Sequence, residues 1–265
     1  MLGFGLGLNK WRRVGGVSFD PDYQAVLDYA TTQGYALPSA SQQTAQNQLV
    51  LDLKAAGVWT QLDMLHVWRT GDTSVQDFKT IDWIRLNEAT IVNAITFVNS
   101  GVQGDGVNAY VDLNYNPSTD ATNYLLDDHC YGGFNDKNDA DGVFISALGA
   151  TYSEIFNDNA NTRFIVFDSS TTSRTPSVST NAQDGHLMNN RVSSADYDFL
   201  IDNVAQSKAA TTSVANPNVN FRLFARNNGT FFGNGIASYD FAGSALTTGE
   251  RAAMITALNT YFAAL

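Results

Sequence analysis

Apolar residues recur at helical spacing near both ends of this chain and at alternate positions between them. After Asp20-Pro21, the residues Tyr23, Val26, Leu27 and Ala30 follow one another on one helical face, and Gly34 closes the run. This predicts a helix with proline at its first position. A second helix is predicted from about Ser41 to Ala56, with Ala45, Leu49, Leu53 and Ala56 on one face and Gly57 ending it. Tyr35 to Pro38 links the two. Both stripes are narrow, so the helical hairpin should dock on something larger. At the far end, Thr247 and Glu250 have capping-box spacing. Ile255, Leu258, Phe262 and Leu265 then form the stripe of a terminal helix.

Beyond Gly57 the period shortens. Leu62, Met64, His66 and Trp68 alternate with Asp63, Leu65, Val67 and Arg69, which predicts a strand buried on at least one face. Further strands are expected at Ile91 to Val98, Ala109 to Tyr115, Gly142 to Ala147, Arg163 to Asp168 and His186 to Val192. Tyr197 to Val204, Phe221 to Arg226 and Ile236 to Phe241 complete the series. They are separated by Asn, Asp, Gly and Ser turns without helical segments, the pattern of a sandwich or barrel. Ser169 to Asp184 reads as a long polar loop. The glycine-rich run Gly101 to Asn108 leads directly into the strand at Ala109. There Tyr110, Asp112 and Asn114 take one face, and Val111, Leu113 and Tyr115 the other. No helix follows these glycines and no Lys-Ser/Thr closes them, so they form neither a P-loop nor a dinucleotide site.

The chain has 265 residues, 44% of them hydrophobic and 15% charged, with a net charge of −11. The acidic balance disfavours nucleic acid and anionic membrane as partners. The lone cysteine, Cys130, excludes an intrachain disulfide. The apolar Met1 to Leu8 precedes Lys10, Arg12 and Arg13, the reverse of signal-peptide order, and is too short to span a bilayer. The expected organisation is an attachment arm at 1–17, a helical hairpin at 18–57 and a β domain with its terminal helix at 58–265. Extended, the arm could reach about 55 Å to another subunit.

Candidate chemistry is sparse. The three glutamates, Glu88, Glu154 and Glu250, are isolated in sequence and Glu250 serves as a cap, so a paired-carboxylate glycosidase site is not expected. Asp127, Asp128, Asp136, Asp139 and Asp141 crowd one segment beside Tyr131 and Phe134. They are weak candidate metal ligands: the run from Asp136 fails the EF-hand pattern, with Ala140 and Ala147 at ligand positions. A solvated acidic turn is the favoured reading, no cofactor is expected, and calcium is the ion these carboxylates would suit. His66, His129 and His186 lack zinc spacing. His129 and Cys130 are neighbours that a strand would send to opposite faces, which prevents a Cys–His pair. The serines of 169–179 lack a nucleophile elbow. Tyr131, Phe134, Tyr152, Phe156, Tyr197 and Phe199 are expected to fill inner sheet faces, though exposed rings would suit sugar stacking.

Three segments carry a family resemblance: Gly101 to Pro117, the closing series Phe221 to Thr230 and Gly235 to Tyr239, and Leu246-Thr247-Thr248-Gly249-Glu250. With them, the region from Gly57 to Leu265 resembles the concanavalin A-like (LamG-type) jelly rolls of structural proteins in tailed bacteriophages. The resemblance implies a mainly β fold, an antiparallel two-sheet jelly-roll sandwich with an N-terminal helical hairpin and a C-terminal helix. It implies a non-enzymatic virion component displayed on a tail, fibre or capsid surface, made in the host cytoplasm. Its expected partners are other virion subunits, reached through the arm in an oligomeric assembly, and a host surface glycan. The alternatives are a polysaccharide-active tailspike-type enzyme and a free carbohydrate-binding lectin.

Overall fold

A computed structural model describes residues 18–136, 142–158, 163–173 and 184–265. The arm at 1–17, Asp139 and Asp141 lie outside the described residues.

The helical hairpin is α1 (Pro21–Gln33) and α2 (Ala40–Ala55). Asp20 caps α1 by accepting from the Asp22 amide, and Gly34 ends it at φ 78°, a conformation glycine adopts without a Cβ penalty. Ser39 and Gln42 form a capping box on α2. The chain then enters β1 (Leu62–Val67) and the short α3 (Gln76–Lys79), followed by β2 (Thr90–Val92), β3 (Thr96–Val98), β4 (Gly101–Gln103) and β5 (Tyr110–Asp112). Next come β6 (His129–Asn135), β7 (Gly142–Leu148), β8 (Tyr152–Asp158), β9 (Arg163–Ser170) and β10 (Gly185–Arg191). The series closes with β11 (Tyr197–Ile201), β12 (Val204–Ala205), β13 (Arg222–Leu223), β14 (Ile236–Gly243) and α4 (Thr248–Ala263).

The strands form two antiparallel sheets, so the expected mainly β sandwich with flanking helices is the observed fold. The first sheet runs β12-β11-β10-β6-β14-β4-β3, with β1 also paired to β14. The second runs β2-β5-β13-β7-β8-β9. Between them lies one core, where Tyr131, Leu187 and Phe199 of the first sheet meet Val111, Ile145, Ile155, Val166 and Leu223 of the second. The alternate residues of the first sheet, including Cys130, Met188, Leu200 and Phe241, face the opposite way. They join Tyr23, Leu49, Leu53, Met254 and Leu258 of the helices in a second core. The first sheet is therefore covered on both faces; the outer face of the second is covered over β7 and β8 by the loop after β13 and open toward β2 and β5. Burying a single Leu or Val in such cores contributes about 1.5–3 kcal/mol, which is why both helical ends are docked. Among the described residues, no helix is long and apolar enough to cross a membrane.

Several expected elements shift. Ile91 to Val98 is two strands in different sheets, because Asn93 takes φ 61° and turns the chain from β2 into β3. The glycine turn already contains strand β4. Ser169 and Ser170 belong to β9, not to the polar loop. Only Arg222 and Leu223 of Phe221 to Arg226 pair in the sheet. The buried face of α4 carries Arg251, Met254, Ala257, Leu258 and Tyr261, whereas the expected stripe residues Ile255 and Phe262 are half-buried and Leu265 is exposed. The Tyr261 hydroxyl donates to the Arg69 carbonyl at 2.7 Å, one bond that fixes this face inward.

Candidate functional site

The outer face of the second sheet carries a row of polar side chains aligned across five strands, open at its β2–β5–β13 end and covered at Ser146 and Glu154. In register, Thr90 of β2 opposes Asp112 of β5, which opposes Arg222 of β13. Arg222 in turn opposes Ser146 of β7, and Ser146 opposes Glu154 of β8. Directly paired residues share a face, and their sequence neighbours Val111, Leu223, Ile145 and Ile155 are in the inter-sheet core, so the row points outward. This places Tyr110, Asp112 and Asn114 outward and Val111, Leu113 and Tyr115 inward, as their alternation predicts.

The row is cross-linked by charge. Arg222 Nε donates to Asp112 Oδ2 at 3.2 Å and Nη1 to the Asn227 carbonyl at 3.3 Å. Asp112 Oδ1 also accepts from Asn220 Nδ2 at 2.8 Å and from the Asn114 amide at 3.1 Å. Asn114 Nδ2 donates to Thr90 Oγ1 at 2.9 Å. Further along, Arg226 grips Glu154 with Nε and Nη2 at 2.8 and 2.6 Å, while Ser146 Oγ donates to Glu154 Oε2 at 2.9 Å. Glu154 is fully buried by this arrangement. The loop after β13 folds back over it, pinned where the Leu148 amide donates to Asn227 Oδ1 at 2.8 Å.

Aromatic rings alternate with these charges. The Arg222 guanidinium lies 4.4 Å from the Tyr110 ring, and that of Arg226 lies 4.3 Å from Phe231 and 5.4 Å from Phe156. Phe231, at φ 56°, is 51% exposed, unusual for a residue of its size. Tyr152 and Phe167 stack edge to face at 5.1 Å near the sheet edge. The accessible part, with Thr90, Asn114, Asn220 and the Asp112–Arg222 pair beside Tyr110 and Phe231, offers donors, acceptors and flat apolar faces together. Sugars present the matching set of hydroxyls and C–H faces. By strand spacing Asp112 and Glu154 stand about 14 Å apart. Two-carboxylate glycosidase chemistry needs about 5–9.5 Å.

The acidic segment does not assemble into one site among the described residues. Asp127 and Asp128 precede β6 and Asp136 follows it, so a seven-residue strand of about 23 Å separates them. Asp127 accepts from Ser213 Oγ, Asp128 from the Ala245 amide, and Asp136 lies 3.9 Å from Arg69. Among the described residues no group of three or more His, Cys, Asp or Glu side chains could hold a metal. His129 and Cys130 do face opposite ways. His129 turns between the sheets to Asp168, 3.0 Å away, which also pairs with Arg191 at 2.8 Å. Cys130 faces the helices, and burial pushes its thiol well above the ordinary range. Of the aromatics, Tyr131, Tyr197 and Phe199 fill the inter-sheet core, and Phe134 packs with the helices. Tyr152 and Phe156 are on the outer face of the second sheet, where inner-face filling was expected.

No family model matches this chain, and no curated protein does. Solved structures do. Trypanosoma rangeli sialidase in complex with sialic acid aligns at a TM-score of 0.55 with 11% identity, over 76% of this chain and 34% of the sialidase. The same organism's sialidase, captured as a covalent intermediate with 2,3-difluorosialic acid, aligns at 0.54 with 9% identity, over 83% and 40%. The likeness is one of fold. This chain spans well under half the length of the enzymes it resembles. These neighbours overturn the expectation of a non-enzymatic bacteriophage virion component: they are carbohydrate-active enzymes, and neither is a phage protein.

Proposed function

We propose that this chain is the sugar-recognising body of a carbohydrate-active protein, with the glycan seated on the open face of the second sheet. The observation that carries this reading is the accessible end of the row, Thr90–Asp112–Arg222, flanked by Tyr110 and Phe231 and held by the buried Ser146–Glu154–Arg226 cluster beside it. Polar groups that are already hydrogen-bonded to one another hold fixed positions, so a ligand meets them without ordering them first. Rings beside them supply the apolar contact that hydroxyl-rich ligands need for net affinity. Sandwich neighbours that are sialidases support the same class of ligand.

The test is a glycan array probed with wild-type protein and with Tyr110→Ala and Asn220→Ala. Both positions are half-buried at the surface, so both variants should keep the native circular dichroism. Wild type should bind sugars, and each variant should lose about tenfold in affinity, the scale of one stacking or hydrogen-bonding contact. Folded wild type that binds no glycan, or variants that bind undiminished, would contradict the assignment.

A further inference from the structure

We propose that the glycan taken by this face is a linear oligosaccharide of about three sugar rings or more, lying across the strands, and that a single terminal sugar does not fill the site. The proposal rests on the reading of the face as a sugar site and names its substrate class.

Two rows cross the outer face of the second sheet side by side. The first is polar, with Thr90, Asp112 and Arg222 at its open end. The second is aromatic. Tyr110 stands two residues before Asp112 on β5, and Phe156 two residues after Glu154 on β8. The register sets Val111, Leu223, Ile145 and Ile155 in line, so β5 and β8 run in opposite directions. Both rings are therefore displaced to the same side of the polar row. Phe231 stacks on Phe156 edge to face at 5.3 Å, and its carbonyl accepts from the Val143 amide of β7. Phe156 is buried beneath this contact, whereas Phe231 is half-exposed. The accessible rings of the second row are thus Tyr110 at one end and Phe231 at the other.

β7 lies two strands from β5 and β8 lies three, which sets these two rings about 10–14 Å apart. The guanidiniums of Arg222 and Arg226, 4.4 Å from Tyr110 and 4.3 Å from Phe231, stand in the interval. No single sugar ring spans that distance. A chain of about three does, with its end rings on Tyr110 and Phe231 and its middle ring beside the guanidiniums. The face is open toward β2, so a longer chain continues past Tyr110 over Thr90 and Asn114.

Phe231 carries a second mark of use. It holds φ 56° with half its surface in water, a backbone and a hydration cost together. Phe156 and Arg226 pack against part of the ring. The exposed part is what the end of the chain covers.

The experiment uses immobilised length series of one to six rings in xylo-, cello-, manno- and oligosialic form. In the series it recognises, wild type should bind three rings at least about tenfold more strongly than one. Tyr110→Ala and Phe231→Gly each remove one end contact. Glycine takes φ 56° without a Cβ penalty, and the fold of both variants is checked by thermal melting. In either variant three rings should bind within about twofold of two rings.

A single ring bound as strongly as three would overturn the proposal while leaving the sugar reading intact. A rise with length that persists undiminished in a folded variant would show that its ring is not an end contact, and overturns the proposal too. Binding to no member of any series would overturn the sugar reading itself, and the proposal with it.

Discussion

Arg226 clasps Glu154 through two hydrogen bonds of 2.8 and 2.6 Å, although 72 residues separate them in the chain. The pair ties the loop after β13 down onto β8, and with it the Phe231 ring. Glu154 is fully buried and the Arg226 side chain is 17% exposed, so removing one partner leaves the other charge partly desolvated and unpaired. Glu154→Ala should lower unfolding free energy by about 3 kcal/mol in urea titration. Glu154→Gln keeps an acceptor for Ser146 Oγ and should lose less. Equal losses for the two would mean the ion pair contributes little.

Gly133, on the central strand β6, has no room for a side chain. A Cβ there would come within 2.2 Å of the Tyr239 carbonyl oxygen and 3.0 Å of the Phe144 ring. Backbone on one side and the inter-sheet core on the other leave nothing to yield. Gly133→Ala should cost more than about 3 kcal/mol, the upper range for overpacking, and lower the melting temperature accordingly. A melting temperature equal to wild type would show that the two sheets are looser here than described.

Lys79 gives a pH dependence whose sign is fixed. It is buried, with Nζ donating to the Val98 carbonyl at 2.9 Å, and burial pushes its pKa from 10.5 down to about 8, against the opposing pull of Asp72. Between those values the unfolded chain holds a proton that the native one has released. This group's contribution to stability therefore increases as pH rises from about 8 toward 10.5. Lys79→Met should melt higher than wild type near neutral pH, and the gap should narrow across that window. A gap constant with pH would contradict this assignment.

Much of the fold was legible in the sequence because its ends and its one-sided strands carry clear periods. The stripe Tyr23, Val26, Leu27, Ala30 is buried as read, and Thr247 and Glu250 cap α4. The strand of Tyr110 is half-exposed, so its alternation survives. β6 was missed for the opposite reason. It is covered by helices on one face and by the second sheet on the other, so His129-Cys130-Tyr131-Gly132-Gly133-Phe134-Asn135 does not alternate. The phase of α4 was misread because its alanines make nearly every face apolar enough to be buried.

The candidate site was legible only in part. Tyr110, Asp112 and Asn114 were placed on a polar face, yet nothing local marks Arg222, Arg226 or Glu154 as their companions. Glu154 reads as isolated because its partners, Ser146 and Arg226, come from a neighbouring strand and a distant loop. The register of β13, a strand of two residues, brings Arg222 between Asp112 and Ser146. Its shortness leaves no period to read. In the acidic segment, Asp127 and Asp128 lie close to Asp136 in sequence but are held apart by β6 between them.

The central claim is that a sugar sits on the open face of the second sheet. It is tested most directly by arginine side-chain NMR, following the Nε–H signals of Arg222 and Arg226 as a neutral oligosaccharide is added. Both lie beside the proposed ligand, whereas Arg191 is buried between the sheets and reports on the fold alone. The account predicts saturable shifts at Arg222 and Arg226 with Arg191 unmoved. Saturable sugar binding that leaves Arg222 and Arg226 unmoved would contradict it.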